Sequence, residues 1–131
     1  MKVSTSKEEA SGFIQLFEYF ETLEAKQAFA YFTLAFSHLS NGALEFEQHG
    51  AVSSLRVRVN DDWMFSFCAA KDWVLAYIRP PAIERLGYSI EELKTILPDA
   101  KIPQDSHLSV RIYSVEQAKA FQEFIFEKLQ H

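Results

Sequence analysis

One cysteine, Cys68, is all the chain contains. That excludes an intramolecular disulfide framework and fits a reducing compartment. Glycine is nearly as scarce, with four copies, Gly12, Gly42, Gly50 and Gly87, lying far apart. A phosphate-binding loop or a dinucleotide fingerprint needs clustered glycines between a strand and the next helix, so both are excluded. The four histidines, His38, His49, His107 and His131, form no pair at a ligand spacing. Neither a metal nor another cofactor is therefore expected. His49 in a turn and His107 near a strand start can meet only through the fold. A surplus of positive charge is also missing. The formal net charge of −5 argues against non-specific nucleic-acid binding, whose footprint is a basic field. The longest apolar-rich run, Ala28 to Phe36, is too short and interrupted to span a bilayer. The first residues, MKVSTSKEEA, lack the apolar core of a secretory signal. The expectation is a cytoplasmic protein away from membranes, folded as a single domain over residues 1–131.

Phenylalanine is what the chain has in excess, with twelve copies, and aromatic residues reach 15%. Rings in that number fill a core, or they supply contact area at an interface or pocket.

The clearest pattern runs from Val52 to Arg79. Leu55, Val57 and Val59 alternate with Arg56 and Arg58, the period of a strand with one buried face. Asn60-Asp61-Asp62 is a turn cluster, since Asn and Asp tolerate left-handed backbone. Strands Trp63–Cys68 and Trp73–Ile78 follow, separated by Ala70-Lys71-Asp72 and ended by Pro80-Pro81. Upstream, Leu44 and Phe46 alternate with Glu45 and Glu47, and His49-Gly50 suits a hairpin turn. Downstream, Leu108, Val110 and Ile112 alternate with Ser109, Arg111 and Tyr113.

Helical spacing marks both ends of the chain. Ser6 and Glu9 have capping-box spacing before Phe13, Leu16, Phe17, Phe20 and Leu23. Gly12 sits awkwardly in that helix, since a mid-helix glycine costs about 1 kcal/mol against alanine. Ala25, Ala28, Phe29, Phe32, Ala35, Phe36 and Leu39 continue the pattern, and length favours two helices with a break near Thr22. Asn41-Gly42 reads as a helix stop. Pro80–Leu86 closed by Gly87, and a segment capped by Ser89, make two short helices. Residues 99–106 form the one obvious loop of any length, a candidate for a mobile lid or a variable connection. Ser114 caps a last helix, with Phe124 and Phe126 off its apolar stripe.

The class is α+β. An antiparallel β-sheet of about five strands, a meander over 43–79 plus a strand at 107–113, packs against N-terminal helices (7–40) and a C-terminal helix (115–129).

The chemistry is thinner. Cys68 lies inside an apolar strand, FSFCAA, where cysteine acts as a small core residue, so a nucleophilic role is discounted. Glu45 and Glu47 share a sheet face with Arg56 and Arg58, which favours a surface ion-pair ladder. No catalytic residue is assigned. Two binding roles follow from the arginines and the rings. The helix 24–39 is apolar nearly all round, which makes Phe29, Tyr31, Phe32 and Phe36 candidates for an interface in a homodimer. Self-association as a non-catalytic binding or assembly module is the first expectation. The alternative is a carrier for a small amphipathic anion. Its charged head would sit on Arg56, Arg58, Arg79 or Arg111 and its body on Trp63, Trp73 and Tyr77. Arg79 joins that face only if Val74, Ala76 and Ile78 form the core side of their strand.

Overall fold

The computed structural model describes residues 7–49, 52–102 and 106–129. Period-2 alternation produces β1 (Gly42–His49), β2 (Val52–Val59), β3 (Asp62–Ala69), β4 (Val74–Ile78) and β5 (Leu108–Ile112). These five strands lie in chain order across one sheet, each antiparallel to its neighbours. The α+β expectation, with its five antiparallel strands, matches this architecture.

The inner face of the sheet carries Leu55, Val57, Phe65, Phe67, Val74, Ala76, Ile78, Val110 and Ile112, all buried. Because Val74, Ala76 and Ile78 point inward, Leu75, Tyr77 and Arg79 belong to the other side. Helix α2 (Leu23–Phe36) and helix α5 (Val115–Leu129) cover the inner face together. Phe32 of α2 stacks on Phe67 at 4.3 Å between centroids, and Phe121 of α5 meets Phe32 edge-on at 5.9 Å. Phe36 receives the edge of Phe126 at 5.1 Å, and Phe124 tilts against Tyr88 at 5.6 Å. Both rings that fall off the α5 stripe are thus placed against other rings.

The N-terminal segment divides as its length suggests. Helix α1 (Lys7–Tyr19) ends before α2 begins, and the Thr22 hydroxyl accepts the Ala25 amide at 3.2 Å as the α2 N-cap. Gly12 explains its own presence here. A β-carbon at that position would lie 2.7 Å from Phe46 Cβ, so glycine lets α1 approach β1. The expected helix stop at Asn41-Gly42 is corrected. Helix α2 ends at Phe36 with Ser37 as its cap, and Gly42 opens β1. Residues 37–41 are needed to carry the chain from the helix layer to the sheet edge, burying Leu39 on the way.

The short helices lie where the capping residues place them. Helix α3 (Pro80–Leu86) starts with proline and stops at Gly87, whose φ of 74° is left-handed. Ser89 accepts the Glu92 amide to open α4 (Ile90–Ile96). The Ser114 hydroxyl accepts the Gln117 amide near the start of α5. Of the expected lid, Lys101 is bridged to Ser109 by two 2.9 Å backbone bonds. Residues 103–105 of that loop, Gly50 of the first hairpin turn and the Ser6 cap lie outside the described residues. Among the described residues no helix is long and apolar enough to cross a membrane.

Candidate functional site

The outer face of the sheet is organised by one irregularity. Asn60 and Asp61, at φ 53° and 70°, make a two-residue left-handed turn between β2 and β3. From that turn Val59 faces Asp62 and Arg58 faces Trp63, yet Val57 faces Phe65. Met64 is therefore the extra residue of a β-bulge, and strict alternation is broken there. Phe65 and Phe67 stay on the core side while Trp63 is delivered to the outer side. The indole N–H donates to the Phe65 carbonyl at 3.0 Å and to the Ser66 hydroxyl at 2.7 Å, which fixes the ring along its own strand.

Arg79 is held by the same bulge. Its amide donates to the Met64 carbonyl at 2.9 Å and its Nη1 to the Trp63 carbonyl at 2.8 Å. Its guanidinium carbon lies 3.7 Å from the Trp63 ring centroid, and that of Arg56, from β2, lies 4.1 Å away. Two guanidinium groups thus lie over one indole, each a cation–π contact. Burial, followed by the charges of Arg56 and Arg58, lowers the Arg79 pKa from its usual value. The Arg56 Nε is buried and has no hydrogen-bond partner among the described residues.

These groups border a cavity of about 230 Å³. Its floor is made of small side chains, Ser54, Ser66 and Cys68, flanked by the arginine–indole cluster. Tyr77 and His107, in ring contact at 5.6 Å, form the facing wall. Among the described residues that line it, none is a carboxylate. Glu45 instead binds Arg58 at 2.8 Å on the rim, with both side chains more than a third exposed. Asp62 is engaged by Arg85 of α3. The expected ion-pair ladder is therefore corrected to one described rung. Register puts Glu45 opposite Arg56, but its carboxylate turns diagonally to Arg58 because Arg56 is drawn over the indole.

Cys68 also needs correction. It lies on the outer face, opposite Ser54 and Leu75, and is half-buried in the cavity floor rather than part of the core. Burial pushes its thiol pKa up, and the Arg56 charge opposes this only in part. A thiol held protonated is a poor nucleophile.

The remaining predicted residues separate from this cluster. Arg111 lies 4.4 Å from the Trp73 ring, and Trp73 tilts on Tyr113 at 5.8 Å. Arg111 and Tyr113 border a second cavity of about 330 Å³, with Leu75, Lys101, Ser109 and Asp99. There a carboxylate accompanies the cations, so the charge is mixed. Of the predicted site residues the fold gathers Arg56, Arg79, Trp63 and Tyr77, leaves Arg58 on the rim, and takes Arg111 and Trp73 elsewhere. Ser54, Ser66, Cys68 and His107 are additions from the structure.

The interface residues meet a different fate. Phe29, Phe32 and Phe36 have no accessible surface within one subunit. Phe29 stacks on Phe13 at 5.4 Å, and the others pack in the ring cluster under the sheet. Tyr31 is half-buried and donates its hydroxyl to Gln122 at 2.7 Å. The phenylalanines are corrected from interface to core, because two covering helices and a sheet enclose the α2 rings on opposite sides. Among the described residues no three His, Cys, Asp or Glu side chains cluster as a metal ion would require. Comparison with protein-family models, with curated proteins and with solved structures finds no match to the chain, so the reading of the cavity rests on its own geometry.

Proposed function

We propose that the protein binds a small anion on the outer sheet face, in the cavity beside Arg56, Arg79 and Trp63. One observation carries this reading: two guanidinium groups border a cavity whose described lining residues include no carboxylate, in a chain whose net charge is −5. Acidic residues are plentiful, and two described ones, Glu45 and Asp62, pair with Arg58 and Arg85 instead. Positive groups gathered without a counter-charge among the described residues, one carrying a buried donor with no partner among them, complement an incoming oxyanion. The volume, about 230 Å³, falls below the range of roughly 300–1,000 Å³ for drug-sized ligands, so the occupant is compact. The amphipathic body expected from the sequence would rest on Tyr77 rather than on Trp63, whose ring already carries the arginines. Phe29, Phe32 and Phe36, which suggested self-association, offer no surface for it.

Isothermal titration with benzoate and with inorganic phosphate at low ionic strength tests the site. Saturable binding is expected, weakened about tenfold or more by Arg56→Gln and unchanged by Arg111→Gln. Absence of binding, or binding indifferent to Arg56, overturns the proposal.

A further inference from the structure

We infer that the occupant of this cavity is a dianionic tetrahedral oxyanion, the phosphate of a small phosphomonoester or inorganic phosphate, rather than a singly charged carboxylate. The inference rests on the anion-site reading and narrows it by charge and by donor geometry.

The charge argument comes from what the fold leaves over. Arg58 has Glu45 as its ion-pair partner, and Arg85 has Asp62. Among the described residues Arg56 and Arg79 have no carboxylate partner, yet both lie within about 4 Å of the same indole centroid. One monoanion would neutralise half of that local charge. A phosphomonoester, carrying close to two negative charges near neutral pH, matches both cations.

The donor argument concerns Ser66. Its hydroxyl oxygen already accepts the Trp63 indole N–H at 2.7 Å. With one lone pair occupied, a second lone pair and the proton remain, and the proton is what an anion at the cavity floor would engage. Ser66 pairs directly with Arg56 across β2 and β3, so hydroxyl and guanidinium stand on one rung. Arg79 reaches in from the end of β4, fixed by its bond to the bulge carbonyl. Donors therefore arrive from the floor and from more than one side. A planar carboxylate uses donors in one plane, as an arginine fork supplies them, whereas a tetrahedral group presents oxygens in several directions.

Phenyl phosphate and phenyl sulfate separate the possibilities, since they share shape and differ by one charge. Calorimetric titration of the full chain at about pH 7.5 is expected to show phenyl phosphate binding about tenfold or more tightly than phenyl sulfate. Arg56→Gln is expected to bring that ratio close to unity, and Ser66→Ala to weaken phenyl phosphate severalfold. Equal affinity for the two esters, with both lost in Arg56→Gln, overturns the dianion while leaving an anion site. No binding of either ester, or of benzoate, overturns both readings. Inorganic phosphate as a third ligand tells the sources apart. Affinity equal to that of phenyl phosphate assigns the free ion, and weaker affinity assigns the ester, whose body then contacts the Tyr77 wall.

Discussion

Replacing Arg56 by methionine should stabilise the protein while removing its ligand. The native residue leaves its buried Nε without a partner among the described residues, a state that costs about 1–3 kcal/mol for an unsatisfied donor. It also adds a positive charge beside Arg79, whose pKa is lowered by burial and by Arg56. Against this stands the contact with Trp63 at 4.1 Å, worth about 0.5–1 kcal/mol at a half-exposed site. Methionine keeps an unbranched apolar stem to cover the indole. The balance is a gain of about 1 kcal/mol, or a rise of roughly 3–5 °C in Tm for a domain of this size. Urea unfolding followed by circular dichroism reads it without depending on Trp63 fluorescence, and an unchanged m-value certifies that stability alone has moved. Calorimetry on the same variant should show anion binding lost. A variant destabilised by more than about 1 kcal/mol would refute the reasoning, since Arg56 would then be a structural residue and not one held in readiness for a ligand.

Three further outcomes follow from the packing and the titrating groups. Gly12→Ala should cost about 1 kcal/mol in urea unfolding despite the better helix former, because the new methyl meets Phe46 Cβ at 2.7 Å; a stabilised variant would contradict the close approach of α1 to β1. Tyr88 donates its buried hydroxyl to the Ile125 carbonyl at 2.7 Å, and burial raises its pKa above the ordinary value. Tyr88→Phe should therefore cost about 1 kcal/mol at neutral pH. The native advantage is fully present below the unfolded tyrosine pKa of about 10 and is lost as pH rises through the folded value, so the gap must close in alkali. A gap that widens there would overturn the assignment. Cys68, with its thiol pKa raised chiefly by burial, should alkylate about tenfold more slowly than an unstructured cysteine at neutral pH, at a rate still climbing past about pH 9. Fast labelling that levels off below that pH would show an activated thiol instead.

Most of the sheet was legible because one side of it is buried. Leu55, Val57 and Val59, and later Leu108, Val110 and Ile112, announce strands by alternation, and Asn60-Asp61 announces a turn. The capping residues Ser89 and Ser114 were legible for a local reason, since a side-chain oxygen facing its own helix start needs no tertiary contact, whereas the sequence marks Thr22 only as a break and not as a cap. The site was half legible. Arg56 has the parity of the outer face, but nothing in the sequence says that it leaves Glu45 for an indole. The small residues of the floor had a signal, since Ser66 and Cys68 alternate with Phe65 and Phe67 in FSFCAA. Reading that segment as uniformly apolar hid them. His107 had none, as its place beside Tyr77 follows from the pairing of β4 with β5 rather than from any local pattern. The helix rings misled because α2 is apolar nearly all round, and only the positions of α1, α5 and the sheet show that Phe29, Phe32 and Phe36 are enclosed while Leu34 stays exposed.

The turn at Asn60 and Asp61 reaches further than its size suggests. Joining the strands with two residues instead of three makes Met64 supernumerary. A three-residue connection would absorb the difference, place Met64 across from Arg58, and rotate the Trp63 indole toward the phenylalanines. Arg56 and Arg79 would then lose their shared platform, although neither had changed. Substituting β-branched residues at Asn60 and Asp61, which resist left-handed backbone, thus offers a way to empty the cavity from a distance. The handedness of a dipeptide that touches no ligand decides which side of the sheet carries the chemistry.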